Sequence, residues 1–283
     1  MLGDEIISAD SRQIYKLLDI GTAKPTPEER KRVKHHFVDE LMPDRDFNAG
    51  EFGVRGRAVI EAILGRKKVP IVVGGSGLYV RSLIDGLFEG PGADKEFREA
   101  LEARVRLGEI NLLIEELRRV DPVAAGGADP TKPRRVIRAL EVFHATGKPI
   151  SQHHRENRVS IDFQPVMFGL SWPRKELYER IEQRCDEMIA NGFLGEIESL
   201  EKSGYDRSVN ALNTVGYAEA FAYRSGEISY QEMIRLFKQN SRRYAKRQLT
   251  WFRRDSRIHW IQCEVIKPQE VAEEICSRFM SSH

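Results

Sequence analysis

Two short apolar runs in this chain stop at residues that can do chemistry. Glu5-Ile6-Ile7-Ser8-Ala9 ends in the polar cluster Asp10-Ser11-Arg12-Gln13, and Pro70-Ile71-Val72-Val73 ends in Gly74-Gly75-Ser76-Gly77. In open parallel sheets, ligands bind beyond the carboxyl ends of the strands. If the two runs are neighbouring strands, a carboxylate, a hydroxyl and a glycine-lined loop share one crevice. Asp10 is then placed to accept a proton, and the loop to let a ligand come close to the backbone. The plainer alternative is that Asp10 caps the turn after it and the glycines only let strand and helix pack.

A third candidate is Arg184. Leu177, Ile181, Arg184 and Met188 recur at i, i+4, i+7 and i+11, one stripe of a helix. The spacing predicts an inward guanidinium, which needs an anionic partner, either a carboxylate or a phosphate oxygen. Cys185, Cys263 and Cys276 lie far apart, without CxxC or metal-ligand spacing, and read as reduced thiols of a cytosolic protein. No GxxxxGK[ST] occurs. Gly147-Lys148 is followed by Pro149 and preceded by no phosphate-cradling run, so it is not such a loop.

The elements that position these residues alternate in type. Residues 5–9 read as a strand and 51–65 as a helix with Phe52, Ala58, Val59, Ala62 and Ile63 on its apolar face; Pro70–Val73 reads as a strand, and a helix follows the glycines. That order predicts a parallel sheet with crossover helices. From Pro91 the character changes. Asp94 is placed to cap a charged helix with Phe97, Leu101 and Val105 at four-residue spacing, and no strand is expected before about Asn157. A strand returns at 165–170, Ser171-Trp172-Pro173 opens another helix, and Ile258–Ile261 is a last strand. The expected organisation is an α/β core of residues 1–90 and 158–283, interrupted by a helical insertion at 91–157.

The chain has 283 residues, 41% of them hydrophobic and 31% charged, as in a globular protein with a sizeable core. No apolar run approaches the roughly 20 residues of a membrane span, and the first residues resemble neither a secretory nor a transit segment. Net charge is only +2, but it is segregated. Residues 131–158 (Lys132, Arg134, Arg135, Arg138, Lys148, Arg155 and Arg158 against Glu141 and Glu156) carry +5. Residues 238–257 (Lys238, Arg242, Arg243, Lys246, Arg247, Arg253, Arg254 and Arg257 against Asp255) carry +7, leaving −10 elsewhere. Such segregation fits a polyanion partner; ordinary solvated helix faces are the alternative.

At these motifs the chain resembles the tRNA dimethylallyltransferase (isopentenylpyrophosphate:tRNA transferase) family of bacterial type. The resemblance rests on Asp10–Tyr15 with Asp19–Pro25, on Gly74–Tyr79 (many members carry Thr at the place of Ser76), and on Asp121–Ala124 with Arg134–Val142. Arg180–Arg184, Val215-Gly216-Tyr217 and Lys246–Phe252 follow in the family's order. It spans essentially the whole chain. It implies a P-loop-NTPase-like parallel sheet plus a helical domain that grips tRNA. It also implies transfer of a dimethylallyl group from its diphosphate to N6 of the adenosine 3′ of the anticodon, with Mg²⁺, in the cytoplasm, by a monomer.

By that resemblance Asp10 is the general base. Asp10, Ser11, Arg12, Gln13, Ser76, Arg98, Arg134, Arg135, Val136, Ile137, Arg138, Val215, Gly216 and Tyr217 are tRNA-contacting positions, and Arg184 holds the diphosphate. Family members begin with a strand and a P-loop of the type GPTxxGKT. Here Leu2-Gly3-Asp4-Glu5 resembles the tail of the helix after that loop, so the first strand and P-loop are expected to be missing and donor binding to be impaired. Two other readings are a non-catalytic tRNA-binding protein and an adenylate isopentenyltransferase acting on free nucleotide. The long basic insertion argues against the second, since a free nucleotide needs no such surface.

Overall fold

The computed structural model describes residues 5–87, 90, 94–156, 161–264 and 267–281. Leu2-Gly3-Asp4, Pro91, Asn157 and Arg158, on which sequence expectations rested, lie outside the described residues. The backbone divides into two compact units, Met1–Ile84 with Asp162–His283, and Asp85–Ile161.

The first unit begins with β1 (Glu5–Ser8), α1 (Pro27–Arg32), β2 (His35–His36), α2 (Ala49–Gly65), β3 (Pro70–Val73) and α3 (Gly77–Ile84). The three strands form a parallel sheet in the order β2-β1-β3, with Ile7 paired to His36 on one side and to Val72 on the other. The central strand carries Ile7, fully buried, and Glu5, whose buried carboxylate meets His36 Nε2 at 2.8 Å, Arg66 Nη2 at 2.9 Å and Lys68 Nζ at 3.2 Å. The His36 hydrogen bond, then those of Arg66 and Lys68, overcome burial and hold the Glu5 carboxyl down at about 2. β3 is an outer strand, and its Ile71, Val72 and Val73 are 40%, 36% and 53% exposed.

α2 starts where Asn48 accepts a hydrogen bond from the Glu51 amide. Its buried face differs from the one expected. Phe52 and Ile63 point inward, but Ala58 and Ala62 are exposed, and Gly53, Gly56 and Ile60 fill the face instead. The reason is close helix packing: a Cβ on Gly53 would lie 2.1 Å from Ser82 Oγ of α3, and one on Gly56 would lie 2.7 Å from Leu83 Cδ1. Tyr79 of α3 stacks on Phe52 with ring centroids 4.6 Å apart.

The second unit is helical among its described residues: α4 (Lys95–Arg106), α5 (Ile110–Val120), α6 (Pro122–Gly126), α7 (Pro133–Thr146) and α8 (Ile150–Glu156). Asp94 caps α4 through the Phe97 amide, as its position predicts. One core joins the helices, built from Leu101, Leu113, Leu117, Val136, Ile137 and Leu140, with Phe97 and Val105 packed against it. Asp121 ties the unit together. Its two oxygens accept from the Ala124 and Ser151 amides at 2.9 Å each, which together hold its carboxyl low despite burial. Gly147 ends α7 in left-handed backbone (φ +67°), so Gly147-Lys148 is a helix stop.

The first unit resumes with β4 (Met167–Ser171), α9 (Arg174–Ala190), α10 (Phe193–Lys202), α11 (Tyr217–Arg224), α12 (Tyr230–Phe252), β5 (Ile258–Gln262) and α13 (Pro268–Ser281). β4 and β5 pair in parallel, Met167 to Ile258 through Ser171 to Gln262. The fold is therefore mixed α/β, with small parallel sheets and many helices.

Candidate active site

Because β1 and β3 are hydrogen-bonded neighbours in parallel, their carboxyl ends meet. Ser8 pairs with Val73, the Ala9 amide donates to Val73 O at 2.7 Å, and the Ser76 amide donates back to Ala9 O at 3.2 Å. The Ser11 amide then donates to Ser76 Oγ at 3.1 Å, fastening the two loops to each other. A Cβ on Gly74 would sit 2.3 Å from Ala9 O, so only glycine permits this approach.

Asp10 makes the turn cap that the plainer sequence reading describes. Its Oδ1 accepts from the Arg12 amide at 2.8 Å and the Gln13 amide at 3.4 Å, a turn cap. Its Oδ2 has no hydrogen bond among the described residues, and the side chain is only half-buried, so one oxygen is held and the other is unengaged.

The long helix α12 closes the loop from one side. Gln248 Nε2 donates to Gly75 O at 3.0 Å, and a Cβ on Gly77 would meet the Trp251 ring at 2.3 Å. Tyr244 shares that face, one turn before Gln248. Tyr244 is 40% exposed as a residue, but the lost hydration of its phenol, then the charge of Asp10, push its pKa up, and Ser76 and Gln248 lie against it. The sequence reading passed over Tyr244. The i, i+4, i+7 spacing of Tyr244, Gln248 and Trp251 was the signal that could have found it.

The remaining expected contacts divide. Arg12 donates through Nη1 to Asn210 O at 3.1 Å, and Gln13 spends its amide within the fold, accepting from Ser8 Oγ at 2.9 Å and donating to Thr22 O and Ala23 O. Gly216 adopts φ +90°, and its amide donates to Glu219 Oε2 at 2.7 Å. Tyr217 corrects an expectation: its ring is fully buried, and its hydroxyl donates to Glu196 Oε1 at 2.5 Å. Burial and that carboxylate push its phenol pKa far up. Glu196 also accepts from the amides of Asp19, Ile20 and Gly21. Tyr217 thus supports the loop after the Asp10 turn, and its side chain is closed to RNA.

The inward orientation expected of Arg184 is a second correction. The residue is exposed, and no ion pair involves it among the described residues. The buried stripe of α9 runs through Cys185 and Met188, with Cys185 lying 3.6 Å from Ser241 of α12, so the stripe is turned toward Cys185 and leaves Arg184 at its rim. Val136 and Ile137 are a third. They are 1% and 4% exposed in the core of the helical unit, so their side chains cannot reach RNA without unpacking α7. Their neighbours Arg134 and Arg135 are exposed, and Arg98 and Arg138 are partly so.

In the second basic segment Lys238 pairs with Asp186, Arg242 with Glu182 and Arg257 with Asp255. Lys246, Arg247, Arg253 and Arg254 are exposed without an ion pair among the described residues.

Residues 13–255 match the family described as IPP transferase. The chain belongs to the IPP transferase family. A tRNA dimethylallyltransferase of Pelotomaculum thermopropionicum is 44% identical over 276 residues, 97% of this chain and 88% of that protein. A crystal structure of a full-length tRNA isopentenylpyrophosphate transferase from Bacillus halodurans superposes with a TM-score of 0.72 at 37% identity, covering 99% of this chain and 88% of that one. A eukaryotic dimethylallyltransferase acting on tRNA shares the fold, with a TM-score of 0.79 at 24% identity over all of this chain and 74% of its own. Within this IPP transferase, the joined carboxyl ends of β1 and β3 bring a carboxylate, a hydroxyl and a glycine-lined loop together.

Proposed function

We propose that this IPP transferase moves a dimethylallyl group from dimethylallyl diphosphate to N6 of the adenosine 3′ of the anticodon in tRNA. The observation that carries the reading is the joined pair of loops, with Asp10 capped through Oδ1 and open at Oδ2, held 3.1 Å apart through Ser11 and Ser76. In the reaction the N6 lone pair attacks the allylic carbon, the carbon–oxygen bond to the diphosphate breaks, and pyrophosphate leaves. The proton released from N6 passes to Asp10 Oδ2. Removing it as the N–C bond forms avoids a full positive charge on nitrogen.

Charge accumulates on the leaving diphosphate, so a cation close by lowers the barrier. Arg184 is the side chain we assign to it. An exposed guanidinium with no ion pair among the described residues can take two phosphate oxygens. The target base has to leave its stack to reach the crevice, and Arg98, Arg134, Arg135 and Arg138 are assigned to backbone phosphates of the anticodon stem-loop. Mg²⁺ is the metal expected with the diphosphate. Among the described residues no group of three or more His, Cys, Asp or Glu could hold a metal. The described residues therefore offer no protein-built cage, and no step here depends on one. No helix among the described residues is long and apolar enough to cross a membrane; cytoplasmic location and a monomeric state belong to this proposal.

The test is incubation with labelled dimethylallyl diphosphate and tRNA. Label is expected in a tRNA with adenosine 3′ of the anticodon and absent when that base is changed. In Asp10→Asn the chemical rate is expected to fall about 10²–10⁴-fold while tRNA affinity holds. Label on free adenosine monophosphate but not on tRNA would favour the nucleotide-acting reading. Tight tRNA binding with no transfer would favour a binding protein.

A further inference from the structure

In the sequence Glu141 of α7 is a negative charge inside a basic segment, within the Arg134–Val142 motif. In the structure it is 2% exposed. Its Oε2 accepts from Arg98 Nη2 of α4 at 2.8 Å and from Arg138 Nη1 at 3.4 Å. Its Oε1 is buried with no hydrogen-bond partner among the described residues. The two arginine side chains keep 40% and 34% of their surface open. Two guanidiniums from different helices thus converge on one buried oxygen and reach solvent together.

Stability alone is a poor reason for this arrangement. A buried carboxylate loses its hydration, and an orphaned acceptor beside it adds to the loss. Apolar residues of similar size in place of a buried ion pair are often neutral or stabilising. What the carboxylate does achieve is convergence. Without it, two like charges would repel and two long side chains would wander. The spacing between their helices is fixed at the adjacent position, where Phe97 of α4 stacks on His144 of α7 with centroids 4.0 Å apart and planes 3° from parallel.

We propose that Glu141 is a positioning residue for RNA, pinning Arg98 and Arg138 side by side so that together they clasp one backbone phosphate. This rests on the reading of the helical unit as a tRNA-binding surface. One carboxylate against two guanidiniums leaves a net positive charge, and planar forks suit the oxygens of a phosphate. The unengaged Oε1 supplies a second acceptor, so either arginine can turn an N–H outward while keeping its hold on Glu141.

The test exploits a difference in sign. Binding of a tRNA anticodon stem-loop is measured by fluorescence anisotropy across a salt series for the wild type, Glu141→Gln, Arg98→Ala and the double variant, with thermal melts alongside. A carboxylate that only offsets positive charge predicts that Glu141→Gln binds RNA more tightly and with a steeper salt dependence. A positioning carboxylate predicts about tenfold weaker binding and a salt slope shallower by about one unit, despite the added positive charge. Arg98→Ala should then cost little more in the Glu141→Gln background. If Glu141→Gln melts early, Arg98→Lys is measured instead. It keeps the charge and the ion pair but loses the fork, and weaker binding at unchanged melting is expected. Binding by Glu141→Gln as tight as wild type or tighter, or unchanged binding by Arg98→Lys, overturns the proposal alone. A wild-type protein that binds no RNA overturns the reading of the unit, and the proposal falls with it.

Discussion

The Ser11 amide donates to Ser76 Oγ at 3.1 Å across 65 residues of sequence, so the Asp10 turn and the glycine-rich loop behave as one piece. Ser76→Ala removes the acceptor and leaves the Ser11 amide to find water. Loss of one such hydrogen bond is expected to lower transfer about tenfold, while Ser76→Thr, which retains a hydroxyl, stays near wild type. Steady-state transfer rates of the two variants check this; equal losses in both would mean that the side chain's size matters and its hydroxyl does not.

Gly74→Ala tests the approach of the two loops. The new Cβ would lie 2.3 Å from a backbone oxygen, that of Ala9, which cannot swing aside as a side-chain tip can. A destabilisation of about 1–3 kcal/mol or more is expected in denaturant unfolding. Gly65→Ala is the control. Its Cβ would meet nothing within 4 Å, and stability should hold or rise slightly.

The strand ends were legible because each is an apolar run that stops abruptly at polar or glycine residues, and parallel pairing then dictates that both ends face the same way. Other features left no trace that hydrophobic periodicity can read. The buried face of α2 is made by Gly53 and Gly56, whose value lies in the Ser82 and Leu83 atoms that a Cβ would strike. The stripe through Leu177, Ile181 and Met188 has the right period, but its centre is decided by where α12 packs, on the Cys185 side, and that is tertiary information. Val136 and Ile137 sit between arginines in a motif, yet a helix turns 100° per residue and sends them into the core. Glu141 is in the sequence a charge among charges, whereas its nearest guanidinium belongs to an arginine 43 residues away.

Arg184 now makes a sharper prediction than an inward arginine would. An exposed side chain with no ion pair contributes little to the fold, so Arg184→Ala should unfold within about 0.5 kcal/mol of wild type. Donor affinity should nevertheless fall, with tRNA binding unchanged, and Arg184→Lys should recover only part of it because a single ammonium replaces a fork. Calorimetric titration with dimethylallyl diphosphate separates the cases. Unaltered donor affinity in Arg184→Ala would remove it from the diphosphate site.

Glu5 links stability to pH through the central strand of the sheet. Its carboxyl sits at about 2, against 4.5 for an ordinary glutamate, because the ionised form accepts from His36, Arg66 and Lys68. A depressed carboxyl pKa means the unfolded chain binds the proton first. The stabilisation is therefore complete above about 4.5 and is lost as pH falls toward 2. Glu5→Gln lacks the ionised form at every pH, so its melting temperature should lie below that of wild type at pH 6 to about 7 and converge with it as acid is added. Paired melting curves from about pH 7 to 3 decide the matter. A gap between the two proteins that stays constant across that range would mean Glu5 acts through packing, with its charge playing no part.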